Sequence, residues 1–80
     1  MARKVKQNEW MVGLYVHYWG VNYRVWSIDG NEVLLVVPGE KPNIWYQPYP
    51  GELQKFSSVT VSKNDEFVMI FDTKRKLAGR

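Results

Sequence analysis

No cysteine occurs among the 80 residues, which excludes disulfides, thiolate zinc sites and a cysteine nucleophile. A single histidine, His17, leaves acid–base chemistry with little equipment; a lone imidazole on a strand is more often a surface residue than a base. The chain has no Gly-rich phosphate loop, no clustered carboxylates and no metal-ligand spacing. Asp29-Gly30-Asn31-Glu32 lacks the spaced oxygen ligands of a calcium loop and reads as a turn. A non-enzymatic protein without metal or cofactor is therefore expected. No run approaches the ~20 apolar residues of a membrane-spanning helix. Basic Arg3, Lys4 and Lys6 lead into polar Gln7-Asn8-Glu9, where a signal peptide needs its apolar segment. The expected compartment is the cytoplasm, with no membrane partner.

What the chain has in quantity is aromatic bulk: 4 Trp, 5 Tyr and 3 Phe. A domain this small buries a modest share of its surface, so large side chains must build its core. Charge is segregated. All eight acids lie between Glu9 and Asp72, against only four bases there (Arg24, Lys41, Lys55, Lys63), a balance of −4. The other seven bases lie outside that span with no acid among them, which returns the total to +3. Residues 1–8 then read as a basic arm, 9–72 as one β domain, and 73–80 as a basic tail. Lys and Arg on such arms release counterions from phosphate, the electrostatic signature of nucleic-acid binding. Charged ends also keep a small apolar domain soluble.

β-Branched and aromatic residues with period-2 alternation predict strands over 12–18 and 21–28, joined by Trp19-Gly20. Asp29-Gly30-Asn31 turns the chain into Glu32–Val37, apolar on both faces and so expected to be central. Residues 38–51 hold all four prolines, and 44–47 are expected to form a short edge strand. Residues 57–62 and 67–71 read as a closing hairpin, pairing Val61 with Val68 and Val59 with Ile70. The fold expected is an all-β, five-stranded SH3-like barrel, with an OB-like barrel as the alternative.

A Trp19-Gly20 turn pairs Tyr18 with Val21, Val16 with Tyr23 and Leu14 with Val25 on the core face. His17, Tyr15, Arg24 and Trp26 then share the other face as an aromatic–basic patch, with the alternative that Trp26 is core, covered by the 38–51 segment or a second sheet. Such platforms stack bases while cations hold phosphates. The expected function is low-specificity binding of DNA or RNA through this face together with Arg3, Lys4, Lys6, Lys74, Arg75 and Lys76. The alternative is a protein-interaction module, an accessory or inhibitory subunit of the kind phages and mobile elements encode. It would use Trp45, Tyr46 and Tyr49 of the proline-rich loop and Phe67, Met69 and Phe71 of the last strand, the latter three also suiting a homodimer.

The stretch Tyr18-Trp19-Gly20-Val21-Asn22-Tyr23-Arg24-Val25-Trp26-Ser27-Ile28, followed by Val33-Leu34-Leu35-Val36, resembles the first strands of Tudor-type domains over residues 13–37. That resemblance implies an SH3-like barrel that binds methylated Lys or Arg in an aromatic cage, or nucleic acid. Tyr18 and Tyr23 would be the cage candidates, although the register turns Tyr23 inward.

Overall fold

The computed structural model describes residues 2–43, 45 and 47–71, with Phe71 described in its backbone only. It contains β1 (Ala2–Lys4), β2 (Tyr15–Tyr18), β3 (Val21–Asp29), β4 (Glu32–Val36), β5 (Ser58–Ser62) and β6 (Val68–Phe71). Two 3-10 turns, Gln7–Glu9 and Pro50–Lys55, complete it. The strands form one antiparallel sheet in the order β1-β6-β2-β3-β4-β5. The all-β expectation holds; among the described residues the strands number six rather than five, and their sheet does not close into a barrel.

The β2–β3 hairpin has the register that its side chains imply. Tyr15 pairs with Arg24, Val16 with Tyr23, His17 with Asn22 and Tyr18 with Val21. Its turn needs two positive φ values, 49° at Trp19 and 83° at Gly20. Glycine adopts that conformation freely and tryptophan does so at a cost. Farther along β3 the register slips between Val25 and Ser27, so Trp26 is an extra, unpaired residue. The bulge inverts the alternation. Tyr23 and Val25 face the core before it, and Ile28 packs against the core after it.

The expected hairpin between the last two strands does not form. β5 pairs with β4, Val33 opposite Val61 and Leu35 opposite Val59. β6 pairs instead with β2, through His17–Met69 and Tyr18–Val68, and with β1. Val61 with Val68, Val59 with Ile70, Thr60 with Met69 and Ser62 with Phe67 are therefore not cross-strand pairs. Three strands separate β5 from β6 in the sheet, about 19 Å if it were flat. The link between them is five residues folded into turns, with Asp65 N donating to Ser62 O and Phe67 N to Asp65 Oδ1. So short a link requires the sheet to curl. The curl lets one core collect Val16, Tyr23, Val25, Val33, Leu35, Val59, Val61, Val68 and Ile70. Val5, Trp10 and Leu53 join that core from outside the strands, and Trp10 Nε1 donates to Lys63 O in the β5–β6 link.

Residues 1–8, read as an arm, contribute strand β1 and a buried Val5. The edge strand expected at 44–47 is not seen in its described residues: Trp45 lies in a turn and Gln47 in irregular chain. Gln47 nevertheless covers the β5 edge. Its side-chain amide accepts from Thr60 N (3.0 Å) and donates to Thr60 O (2.6 Å), replacing one rung of a ladder. Asn43 adds a second clip, its N donating to Ser58 Oγ and its O accepting from the same hydroxyl. An uncovered edge strand is a template for unwanted pairing; here the proline-rich segment blunts it.

Candidate nucleic-acid interface

The outer face of the β2–β3 hairpin brings three of the expected residues together. Tyr15 is 61% exposed, and its cross-strand partner Arg24 lays its guanidinium over the ring, 5.5 Å from the centroid. Such a cation–π contact holds the guanidinium beside the Tyr15 ring on the outer face of the sheet. Gly13 lies beside the guanidinium; a Cβ there would make ordinary contact with Arg24 Nη2 at 3.5 Å, and it is the φ of 96° that favours glycine. Trp26 is 50% exposed, because the bulge leaves it without a cross-strand partner. It is not core, and the proline-rich segment, which reaches it through Pro38 and Glu40, leaves half of it in solvent. It forms one wall of a cleft of about 310 Å³ whose other lining includes Val12, Arg24, Val37, Pro38 and Glu40.

His17 lies on the same strand face but is half-buried, its Nδ1 2.9 Å from Asn22 Oδ1. That acceptor calls for the Nδ1–H tautomer and makes His17 a structural cross-strand partner. Among the described residues, no group of three or more His, Asp or Glu is placed to hold a metal ion, and no helix is long and apolar enough to cross a membrane.

The basic residues fare unevenly. Arg3 makes a two-pronged contact with Glu9, Nη1 to Oε1 at 2.8 Å and Nη2 to Oε2 at 2.5 Å. Hydrogen bonds from the Arg3 side chain and then from the Lys6 backbone N–H pull the Glu9 carboxyl down to about 2. Arg3 is thus committed to its own chain, while Lys4 and Lys6 are exposed. Lys74, Arg75 and Lys76 lie outside the described residues.

Of the residues expected at a protein interface, Trp45 and Tyr49 are 92% and 72% exposed. Phe67 is exposed but sits in the turn before β6, where its ring meets Trp19 at 5.1 Å between centroids. Met69 is half-buried on β6, opposite His17 on one side and Lys4 on the other. Tyr46 and the side chain of Phe71 lie outside the described residues.

Tyr23 cannot serve an aromatic cage. It is fully buried, and its hydroxyl has no hydrogen-bond partner among the described residues. Burial pushes its pKa up to about 12. Tyr18, the other cage candidate, is half-buried and directs its hydroxyl to Asp65 Oδ2 at 3.5 Å.

Pattern reasoning missed Val12, Pro38 and Glu40 as neighbours of Trp26. They come from the segments flanking β2 and β4.

No family model, curated protein or solved structure matches the chain. Its function has to be argued from its own residues.

Proposed function

We propose that the chain is a small non-enzymatic β domain that binds nucleic acid through the outer face of β2–β3. We read its curled sheet as a variant of the SH3-like barrel, with the last strand lying beside the first strand of the meander. The observation that carries the function is the trio of Tyr15, Arg24 and Trp26, exposed together on a rigid hairpin. Exposed aromatic faces give base stacking at about 1–3 kcal/mol per base without regard to sequence. Arg24, held beside the Tyr15 ring, adds a donor fork suited to phosphate or a base edge. Exposed Lys4 and Lys6, and the bases of residues 73–80, would supply the salt-sensitive attraction. The acidic balance of residues 9–72 keeps that attraction local to the arms and this face.

Fluorescence anisotropy with labelled single-stranded DNA and RNA at two salt concentrations tests the reading. Micromolar affinity at low salt, falling steeply as salt rises, is expected. Arg24→Ala and Trp26→Ala should each weaken it by at least fivefold. Absence of binding to either polymer at low salt would remove the proposal.

A protein-docking role is the second reading, favoured by Trp45, whose side chain is almost wholly in solvent, and by Tyr49 of the same segment, which is also exposed. Truncating Trp45 to alanine would then abolish capture of a protein partner while leaving nucleic-acid affinity unchanged.

A further inference from the structure

The cleft beside Trp26 holds two opposite charges that do not meet. Arg24 and Glu40 both line it, yet the ion pair found among the described residues is Arg3–Glu9. Arg24 is occupied on one face by the Tyr15 ring, and Glu40 is exposed, its backbone N donating to Val37 O. The guanidinium can only donate and the carboxylate can only accept. A ligand bridging them must therefore offer acceptors along one edge and donors along another. It must also be flat and apolar on its faces, because Trp26, Val12, Val37 and Pro38 form the rest of the lining.

Among the bases, guanine alone carries two acceptors on one edge (O6 and N7) and two donors on the next (N1–H and the 2-amino group). Cytosine and adenine would give the carboxylate a single amino group. Thymine and uracil set one N–H between two carbonyl oxygens, which a carboxylate repels. The cavity, about 310 Å³, lies at the small end of ligand sites and suits one base rather than a helix.

We infer that this cleft is a guanine pocket, with the base stacked on Trp26, Arg24 donating to its acceptor edge and Glu40 accepting from its donor edge. The inference rests on the nucleic-acid reading and deepens it: the sheet face binds any strand, and the cleft gives that strand a preferred base.

The test uses the full chain and four single-stranded DNA pentamers, each four thymines around a central guanine, adenine, cytosine or thymine, with guanosine 5′-monophosphate as a fifth probe. Affinities are read by anisotropy for the labelled pentamers and by titration of the Trp26 indole N–H signal for the mononucleotide. The guanine pentamer should bind about tenfold more tightly than the all-thymine one, the discrimination expected of one bidentate pair. Glu40→Ala should bring that ratio to within twofold, without weakening the all-thymine pentamer. Equal affinity for all four pentamers would overturn the guanine pocket and leave the nucleic-acid reading standing. Binding to none would overturn both. Preference for adenine or cytosine, or a guanine preference that survives Glu40→Ala, would also overturn the assignment. Guanosine monophosphate binding as tightly as the guanine pentamer would support the pocket and make its occupant a free nucleotide rather than a strand.

Discussion

Tyr15 and Tyr23 sit on neighbouring strands of one hairpin and lead opposite lives. Tyr23 is fully enclosed with no partner for its hydroxyl among the described residues, whereas Tyr15 stands 61% in solvent beneath a guanidinium. The same residue type thus builds the fold on one face and offers a surface on the other. Parity along the strand decides which, since successive side chains point to opposite sides. The largest effect should expose this contrast directly. Tyr23→Ala should destabilise the domain by about 3–5 kcal/mol, as removal of a buried aromatic does. Tyr15→Ala should stay within about 0.5 kcal/mol, the range of ordinary surface changes. Urea melts of the two variants separate these outcomes, and similar losses in both would break the comparison.

The hydroxyl of Tyr23 sharpens the contrast at a smaller scale. A buried polar group without a partner costs about 1–3 kcal/mol. Tyr23→Phe keeps the ring and removes that cost, so stability should rise by about 1 kcal/mol or more, read as a higher urea midpoint at unchanged m. A loss instead would mean that the hydroxyl makes a bond that matters. Alkaline titration probes the same group. Its pKa is raised from 10.0 to about 12, so the folded state holds its proton more tightly than the unfolded chain does. Stability from this source is complete below pH 10 and drains away as pH climbs from 10 toward 12. Tyr18, shifted in the same direction by burial and by Asp65, adds to the fall. Tyr23→Phe should flatten the slope in that window.

Why one half of this molecule was legible in the sequence and the other was not follows from distance along the chain. The β2–β3 register is set by a two-residue turn and by alternation on its flanks, so Tyr15–Arg24 and Val16–Tyr23 could be paired from local information. The partner of β6 is set by the curl of the whole sheet. Val68 follows β5 after a link of five residues yet pairs with Tyr18, fifty residues away, a choice that no turn signal encodes. The 63–67 turn looks like a hairpin because Asn64 and Asp65 suit one. Its tertiary role is instead to carry the chain across the open side of the sheet. The bulge at Trp26 escaped for a similar reason: Val25-Trp26-Ser27-Ile28 alternates acceptably in either phase, and only Ile28 packing against the core reveals the slip. Glu40 was invisible as a site residue because it reaches the cleft from the turn after β4, far along the chain from Trp26.

A second contrast, between Arg3 and Arg24, concerns how a cation is spent. Arg24 lies over the Tyr15 ring, whereas Arg3 gives its donors to Glu9. The Glu9 carboxyl, held at about 2 rather than 4.5, is depressed in the folded state. Its stabilising contribution is therefore present above pH 4.5 and is lost as pH falls from 4.5 toward 2. Thermal melts between pH 6 and pH 2 should show that decline, and Glu9→Gln should lessen it while lowering stability at pH 6. Arg24→Ala should leave the acid profile as it was, since no carboxylate among the described residues pairs with that guanidinium. A matching acid response in both variants would mean the two arginines are not specialised in this way.

The smallest expected effect comes from the turn that joins the two tyrosine strands. Trp19 holds φ at 49°, a left-handed conformation that costs an L-residue with a Cβ about 1–2 kcal/mol and that asparagine tolerates better. The same position lets the indole meet Phe67, a contact of about 0.5–1.5 kcal/mol. Relief of strain and loss of the ring pair are of similar size, so Trp19→Asn should change stability by less than about 1 kcal/mol. A double-mutant cycle with Phe67→Ala separates the two terms. In the Trp19→Asn background the Phe67 truncation should cost nothing further, whereas in the parent it should cost the full ring contact. If the cycle shows no coupling, the exposed pair contributes nothing to the monomer. The strain at Trp19 then has no compensation within the fold, and that would make the hairpin tip, with its two solvent-facing rings, the next surface to test for a partner.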